Sequence, residues 1–205
     1  MFQIIPQIIL ASQSVPRKQL LERLKIQFTV IPANIDETPL INEQPLELVE
    51  RLSKQKAQTV LNTLKNNELK NNCLIISSDQ VAVFQNKIYG KPGDFARAKA
   101  QLELFNNNTI EFITGLCVCL HSNNKLEIIY DYEVSKIKLK NLNKTQISNY
   151  LHKEQPYQAA ASFKIESLGI SIVEQVQTAD YTAIIGLPLL KLTKIFEQVG
   201  FNILK

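Results

Sequence analysis

Cysteine is scarce in this sequence of 205 residues, which has three in all and no CxxC pair. Cys73 stands alone, whereas Cys117 and Cys119 flank one valine and would point to the same face of a strand. An odd number of scattered cysteines favours reduced thiols that fill the core over a disulfide framework. With only two histidines beside them, a structural zinc site is not expected either.

Long hydrophobic runs and a strong charge of one sign are also lacking. No window approaches the ~20 apolar residues that a membrane-spanning helix needs, and the start of the chain, with Pro6, lacks the basic segment of a signal peptide. The formal net charge of +4 suits an anionic ligand but is too small to indicate stable nucleic-acid binding. With 45% apolar and 20% charged residues, the composition predicts a globular protein that folds without a partner.

The first half of the chain alternates apolar segments with amphipathic ones. Residues 7–11 are predicted to form a short buried strand, and "RKQLLERL" after them has leucines at helical spacing. "IQFTVIPA" is typical of a second strand, and a long helix is predicted to open at Pro45. We expect a surface loop in "KNNELKNN", and two strand segments in "CLIISS" and "VAVF" that are interrupted by Asp79 and Gln80.

The second half combines helices with strands that follow one another closely. "DFARAKAQLELF" predicts a helix, and "TGLCVCLH" and "LEIIYDYEVSKIKL" alternate like a pair of antiparallel strands. A helix with Thr145 as its expected cap, a strand in "LGISIVEQV" and a closing helix that stops at Gly200 complete the chain. This order predicts the α/β (α+β) class with a mixed sheet, in one domain over residues 1–205.

The stretch "LASQSVPRKQLL" lies where the first strand gives way to the first helix. Ser14 can cap that helix, whose amino end attracts anions, and Arg17 and Lys18 add positive charge. The residues fit a cradle for phosphate, and they fit equally an ordinary capped helix with solvated cations.

Two further stretches place carboxylates beside apolar segments. In "NIDETP", Asp36 and Glu37 could hold Mg²⁺, or Asp36 could simply close an Asx turn. In "IISSDQVAVF", Asp79 is costly inside a sheet unless it is paired, bound to metal or placed at a cleft. The alternative for Asp79 is a bulge at the edge of the sheet.

The last two stretches could contact an anion and a base. In "YGKPGD", Lys91 has a constrained backbone and a side chain that can reach an anion, although a plain turn lysine is the commoner case. In "AAASFKIESLGI", Phe163 could stack on a base and Glu166 could accept hydrogen bonds from it. A packed turn is the alternative there.

These five stretches, in this order, resemble the Maf family of nucleoside triphosphate pyrophosphatases over nearly the whole chain. "TG" at Thr114–Gly115 and "GLPL" at residues 186–189 also fall at family-like positions. "SDQV", "KEQPYQAAASFKIESLGI" and "GLPL" resemble the branch that hydrolyses 7-methyl-GTP to the monophosphate and pyrophosphate. The dTTP/UTP branch typically has Thr after the aspartate and a Gly-Tyr-Gly-Ile-Gln-Gly run, where this chain has Gln80 and "SFKIES".

The resemblance implies a mixed, largely antiparallel sheet in two lobes around a central cleft, similar to inosine triphosphate pyrophosphatases. It also implies a divalent cation (Mg²⁺ or Mn²⁺), a cytoplasmic location and a possible homodimer. By resemblance, Asp79 is the catalytic proton acceptor and Glu37 a metal ligand. The residues implied to hold the phosphates are Ser12, Ser14, Arg17, Lys56 and Lys91. Those implied to set the choice of base are Pro16, Gln80 and Glu166.

Several positions depart from the family pattern. Val15 stands where the family usually has proline, Lys18 where arginine is common, and "AAASF" replaces a more usual Ala-Gly-Ser-Phe. Pro16 stands where the 7-methyl-GTP branch usually has a tryptophan that helps to set substrate choice. A dTTP/UTP pyrophosphatase, an enzyme acting on several modified nucleotides and a non-catalytic nucleotide-binding regulator of cell division therefore stay open as alternatives.

Overall fold

The structure is a computed structural model that describes residues 6–64, 72–122 and 125–204. Within these ranges the chain divides into two compact units, which agrees with the two lobes that the resemblance implies. Unit 1 takes its residues from Met1–Asp79, Thr114–Tyr132 and Gly186–Lys205, and unit 2 takes them from Gln80–Ile113 and Glu133–Ile185.

The described residues form one open, mixed sheet. Its strands are β1 (Gln7–Leu10), β2 (Thr29–Val30), β3 (Asn72–Phe84), β4 (Lys87–Tyr89), β5 (Thr109–Ser122), β6 (Lys125–Leu139) and β7 (Val173–Gln177). They lie in the order β2-β1-β3-β5-β6-β7, with β4 paired to β3. β1 is parallel to β2 and β3, whereas β4 is antiparallel to β3 and β7 is antiparallel to β6. The predicted fold class is confirmed.

The described α-helices begin in different ways, some of them with a side-chain cap. They are α1 (Val15–Glu22), α2 (Pro45–Leu64), α3 (Phe95–Phe105), α4 (Lys144–Glu154), α5 (Tyr181–Ile185) and α6 (Leu189–Gln198). The side chains of Ser14, Asp94 and Asn143 cap α1, α3 and α4, each by accepting a backbone N–H of the first turn. None of the helices in the described ranges is both long and apolar enough to cross a membrane.

In unit 1, α2 packs its apolar face on the strands. Ala57, Val60 and Leu61 of this helix form one cluster with strand residues that include Ile9 and Ile75. The three cysteines also lie in this cluster and are buried, so the prediction that they fill the core is confirmed. This packing fixes the position of α2 on the sheet, and α2 carries part of the candidate site.

In unit 2, aromatic side chains dominate the core. Phe105 of α3 makes edge-to-face contacts with Phe84 and Tyr89, at centroid distances of 5.5 and 4.9 Å. Phe163 is buried in the same core, with its ring 5.9 Å from that of Phe112. The suggestion that Phe163 stacks on a base is therefore wrong, because its ring packs inside the protein.

Four predictions about the elements need correction. β3 runs without a break through Asp79 and Gln80, and it lies between β1 and β5, not at an edge. Asn143, and not Thr145, caps α4, because its side chain accepts the N–H of Gln146 in a capping box. "LGISI" forms a 3₁₀ helix before β7, and β2 has only two residues. The predicted loop at residues 65–71 lies outside the described residues.

Candidate active site

β1, β2 and β3 run parallel in unit 1, and they are aligned along the line where β1 and β2 reach their carboxyl ends. This line is called the carboxyl edge of the sheet. Leu10, the last residue of β1, pairs with Val30 at the end of β2 and with Ile76 of β3. The segments that continue from this line carry Ser12, Glu37 and Asp79. Because ligands of open α/β sheets bind beyond the carboxyl ends of parallel strands, this edge is the expected place for a site.

Lys56 joins the two candidate carboxylates at this edge. Its Nζ lies 2.6 Å from Oδ1 of Asp79 and 2.6 Å from Oε1 of Glu37. Lys56 and Asp79 are buried, whereas half of the Glu37 side chain is exposed. Leu52 and Val60, each four positions from Lys56 on α2, are buried as well, so the lysine points toward the sheet. The ion pair explains how β3 accommodates a buried carboxylate without a break.

Arg17 is partly buried and fixes the backbone that precedes Asp79. Its Nη1 donates to the carbonyl of Ser78 at 2.7 Å, and its Nε donates to the carbonyl of Gly186 at 2.8 Å. The Ser78 hydroxyl donates to the same Gly186 carbonyl at 2.8 Å. Burial lowers the pKa of Arg17, and the nearby charges of Asp79 and Glu37 oppose that shift. The guanidinium thus supports this edge by backbone contacts as well as by its charge.

At the start of α1, the hydrogen-bond donors that could contact an anion are mainly serine hydroxyls and not backbone N–H groups. The N–H of Arg17 donates to Oγ of Ser14 at 3.4 Å, and the N–H of Ser14 donates to Oγ of Ser12 at 3.1 Å. Pro16 has no N–H, so the amide of Val15 is the remaining donor of the first three helical positions. Both serine hydroxyls keep a hydrogen to donate, because each accepts in the contacts above.

The segment that carries Glu37 is held against α2 by Arg51. The guanidinium of Arg51 donates to both carboxylate oxygens of Glu43 at 2.6 and 2.8 Å and to the carbonyl of Thr38 at 3.1 Å. The N–H of Thr38 donates to Oδ1 of Asp36 at 2.9 Å, which is the Asx turn that the sequence left open. The two adjacent acids therefore differ, since Asp36 shapes the turn and Glu37 reaches Lys56.

Sequence reasoning missed Ser78 and Arg51. Both act through contacts with residues that are distant in the chain or with backbone carbonyls, and such contacts leave no spacing pattern. In "SSDQV" the charge of Asp79 stands out, whereas Ser78 carries no such signal. Arg51 lies on α2, five residues before Lys56, without any motif of its own.

The remaining predicted residues lie in unit 2. The Gln80 amide donates to the carbonyls of Ala183 at 2.8 Å and Ile184 at 2.9 Å, so it anchors the end of α5. Lys91 is exposed in the turn between β4 and α3, and Glu166 is exposed in the segment before the 3₁₀ helix of "LGISI". Their suggested roles stay predictions.

The carboxylate pair has the donor chemistry that Mg²⁺ or Mn²⁺ prefers. Among the described residues, no group of three or more His, Cys, Asp and Glu side chains is placed to hold a metal ion. Mg²⁺ usually needs only one or two protein carboxylates, because water and phosphate oxygens complete its shell. Glu37 and Asp79, whose oxygens contact the same Lys56 nitrogen, fit such a site.

Comparison with known proteins identifies relatives along nearly the full chain. The chain is 41% identical over 199 residues to the 7-methyl-GTP pyrophosphatase of Nitrosococcus oceani, covering 97% of this chain and 96% of that protein. It is 41% identical over 197 residues to the protein of the same name from Colwellia psychrerythraea, covering 96% and 94% of the two chains. The Staphylococcus aureus Ham1 structure aligns with a TM-score of 0.42 at 12% identity, over 65% of this chain and 71% of that chain.

A protein-family model also matches nearly the whole chain. The model described as Maf-like protein matches residues 7–199. That range contains Ser12, Ser14, Arg17, Glu37, Lys56 and Asp79. The chain therefore belongs to the Maf family.

Proposed function

We propose that this protein is a nucleoside triphosphate pyrophosphatase that hydrolyses 7-methyl-GTP, or a closely related modified purine nucleotide, to the monophosphate and pyrophosphate. The contact of Glu37 and Asp79 with one buried lysine is the observation that carries the proposal. The names of the two relatives, 7-methyl-GTP pyrophosphatase, support the choice of substrate over dTTP or UTP.

Asp79 is the proton acceptor in this reaction. A water molecule attacks the α-phosphorus. The bond between this atom and the oxygen that bridges it to the β-phosphorus breaks, and the electron pair of that bond leaves with pyrophosphate. The proton of the water passes to the Asp79 carboxylate. Before the cation and the nucleotide bind, Lys56 contacts Oδ1 of Asp79 at 2.6 Å and keeps that carboxylate at the site. Positioning and charge stabilisation supply most of the catalysis in phosphoryl chemistry.

The phosphate chain is held by cations and hydroxyls. Ser12 and Ser14 donate from the turn before α1, while Lys56 supplies positive charge from a buried position and Arg17 from a partly buried one. Lys91 is the exposed cation that we assign to the same task. When bound, a divalent cation at Glu37 and Asp79 supplies further charge neutralisation for the phosphates.

The choice of base depends on Glu166, Gln80 and Pro16. Methylation at N7 makes guanine cationic, and the Glu166 carboxylate can accept from its N1 and N2 donors while favouring that charge. Pro16 offers no aromatic face to the cation, unlike the usual tryptophan. This difference favours a second candidate, an enzyme that accepts several modified purine nucleotides.

Replacing Pro16 by Trp should therefore sharpen the preference for 7-methyl-GTP over GTP.

The central test measures pyrophosphate release with Mg²⁺ from 7-methyl-GTP, GTP, dTTP and UTP. We expect the purine nucleotides to be preferred, and we expect Asp79→Asn to lower kcat by several orders of magnitude. Asp131→Asn is the matched control, because Asp131 pairs with Lys191 at a half-exposed position. Near-full activity of Asp79→Asn would overturn the catalytic role, and a clear preference for dTTP would overturn the substrate.

We also propose that the enzyme works in the cytoplasm, where its three buried thiols stay reduced and nucleotides are abundant. A homodimer remains a prediction of the family resemblance. Sedimentation of the purified protein would measure its oligomeric state directly.

A further inference from the structure

We propose that Lys56 and the divalent cation exchange places during the catalytic cycle. In the free enzyme the Lys56 ammonium occupies the position between Asp79 and Glu37. Metal binding displaces it from both carboxylates, and the ammonium then turns to the phosphates of the nucleotide. This inference rests on the proposed function, because it assigns the displaced lysine to a triphosphate substrate.

The two carboxylate oxygens that would bind the cation are already in contact with the Lys56 ammonium. The Nζ of Lys56 lies 2.6 Å from Oδ1 of Asp79 and 2.6 Å from Oε1 of Glu37. A metal ion that contacts both oxygens lies about 2.0–2.1 Å from each, and therefore within about 5 Å of the Lys56 nitrogen that contacts the same two oxygens. An ammonium and a divalent ion at such separation repel each other strongly in a partly buried site. Binding of one therefore requires departure of the other.

The displaced ammonium needs a new anion. The Lys56 side chain is only 7% exposed, and an unpaired buried charge is costly. Its neighbour Arg17 is also a cation, so the triphosphate is the acceptor that the proposed function supplies. The metal should therefore bind weakly to the free enzyme and more tightly when the nucleotide is present. By reciprocity, the metal strengthens nucleotide binding by the same factor.

The exchange predicts that removing the lysine charge releases the carboxylate pair for metal. We would titrate Mn²⁺ into the nucleotide-free protein by calorimetry and measure free Mn²⁺ by electron paramagnetic resonance. Lys56→Met should bind Mn²⁺ at least tenfold more tightly than the wild type. In the wild type, a non-hydrolysable α,β-methylene nucleotide should tighten Mn²⁺ binding, and this effect should shrink in Lys56→Met.

Lys54→Met is the matched control, because Lys54 lies on the same helix and pairs with Glu50 at a half-exposed position. It should bind Mn²⁺ like the wild type. Equal Mn²⁺ affinity of Lys56→Met and wild type without nucleotide would overturn the exchange. An equal gain in the Lys54→Met control would also overturn it, since the effect would then be general electrostatics.

A stability measurement covers the case in which Lys56→Met folds poorly. Lys56→Gln retains a polar side chain, and we would melt it with and without Mn²⁺. The exchange predicts that Mn²⁺ raises its Tm by several degrees more than it raises that of the wild type, and an equal rise contradicts it. If the wild type released no pyrophosphate from the nucleotides, the proposed function itself would be refuted. The two failures are therefore distinguishable.

Discussion

Gly186 is needed for the conformation of its backbone and for the contacts of its carbonyl group. Its φ of +124° lies in the region that favours glycine, and an added Cβ would lie 3.3 Å from Nε of Arg17. Its carbonyl accepts from both Arg17 and Ser78. The glycine of "GLPL" is thus the acceptor that ties the start of α1 to β3 just before Asp79.

Arg17→Lys tests this arrangement at the scale of one side chain. Lysine keeps the charge but loses the planar group that reaches the carbonyls of Ser78 and Gly186 together. We expect the free energy of unfolding, measured by urea denaturation, to fall by about 2 kcal/mol, and kcat to fall at least tenfold. Lys18→Gln, which removes a neighbouring exposed charge, should leave the free energy of unfolding unchanged. Wild-type stability and kcat in Arg17→Lys would contradict the backbone role.

The pair of Glu43 and Arg51 holds the segment that carries Glu37 and gives it a defined acid sensitivity. The Arg51 guanidinium lowers the pKa of Glu43 from 4.5 to about 2. Because the folded pKa is the lower one, the stabilisation is complete above about pH 4.5 and is lost as the pH falls toward 2.

We therefore expect Glu43→Gln to melt below the wild type at neutral pH, with a constant difference in Tm down to about pH 4.5. The two melting curves should converge toward pH 2, where the wild-type carboxyl is protonated. At neutral pH the variant should need several times more Mg²⁺ for half-maximal activity, because Glu37 is less well positioned. A difference in Tm that already closes above pH 5 would contradict the pairing.

At the scale of elements, the contact between α2 and β5 decides where Lys56 lies. Gly115 of β5 faces this helix, and an added Cβ would lie 2.6 Å from Cγ1 of Val49 and 2.8 Å from Oγ of Ser53. It would also lie 3.1 Å from Cε2 of Tyr130. Glycine is needed here because α2 packs close to the strand, and Lys56 begins the next turn of that helix.

Gly115→Ala should force α2 away from the sheet and displace Lys56 from Asp79. We expect the free energy of unfolding to fall by about 1–3 kcal/mol, as for other overpacked cores, together with a loss of kcat. Gly90→Ala is a stability control, because no atom lies within 4 Å of its added Cβ, and its free energy of unfolding should stay within about 0.5 kcal/mol. A stable but inactive Gly115→Ala would show that the helix position matters for catalysis alone.

Local signals placed several helix starts correctly, whereas a long-range contact explains the wrong break at Asp79. Pro45 and Ser14 mark helix starts by their own chemistry, so α2 and α1 could be placed from the sequence. The break predicted at Asp79 was wrong because its partner, Lys56, lies 23 positions earlier in the chain. A pattern of apolar and polar residues cannot show that a buried charge is paired by a residue so far away.

The same limit explains what could be predicted of the candidate site. Residue types in family order indicated Asp79, Glu37 and Lys56, yet nothing in their spacing showed that one nitrogen contacts both carboxylates. Ala161 is another case, since it replaces the usual family glycine and has a φ of +55°, the region that favours glycine. The preference for glycine there is a backbone requirement that the sequence alone did not reveal.

At the scale of the whole molecule, the division into units separates two kinds of proposed task. Unit 1 holds the carboxylate pair, its lysine and the turn before α1, whereas unit 2 holds Glu166 and Gln80, which are proposed to select the base. Two residues depart from this division. Pro16 is proposed to help select the base but lies in unit 1, and Lys91 is proposed to hold phosphate but lies in unit 2. In the proposed reaction, the ion pairs of unit 1 serve the chemistry at the phosphates, and the residues assigned to the base take no part in those pairs. If the proposed roles hold, substitutions at Glu166, Gln80 or Pro16 should change the preference among nucleotides, while the contacts of Lys56 with Asp79 and Glu37 stay the same.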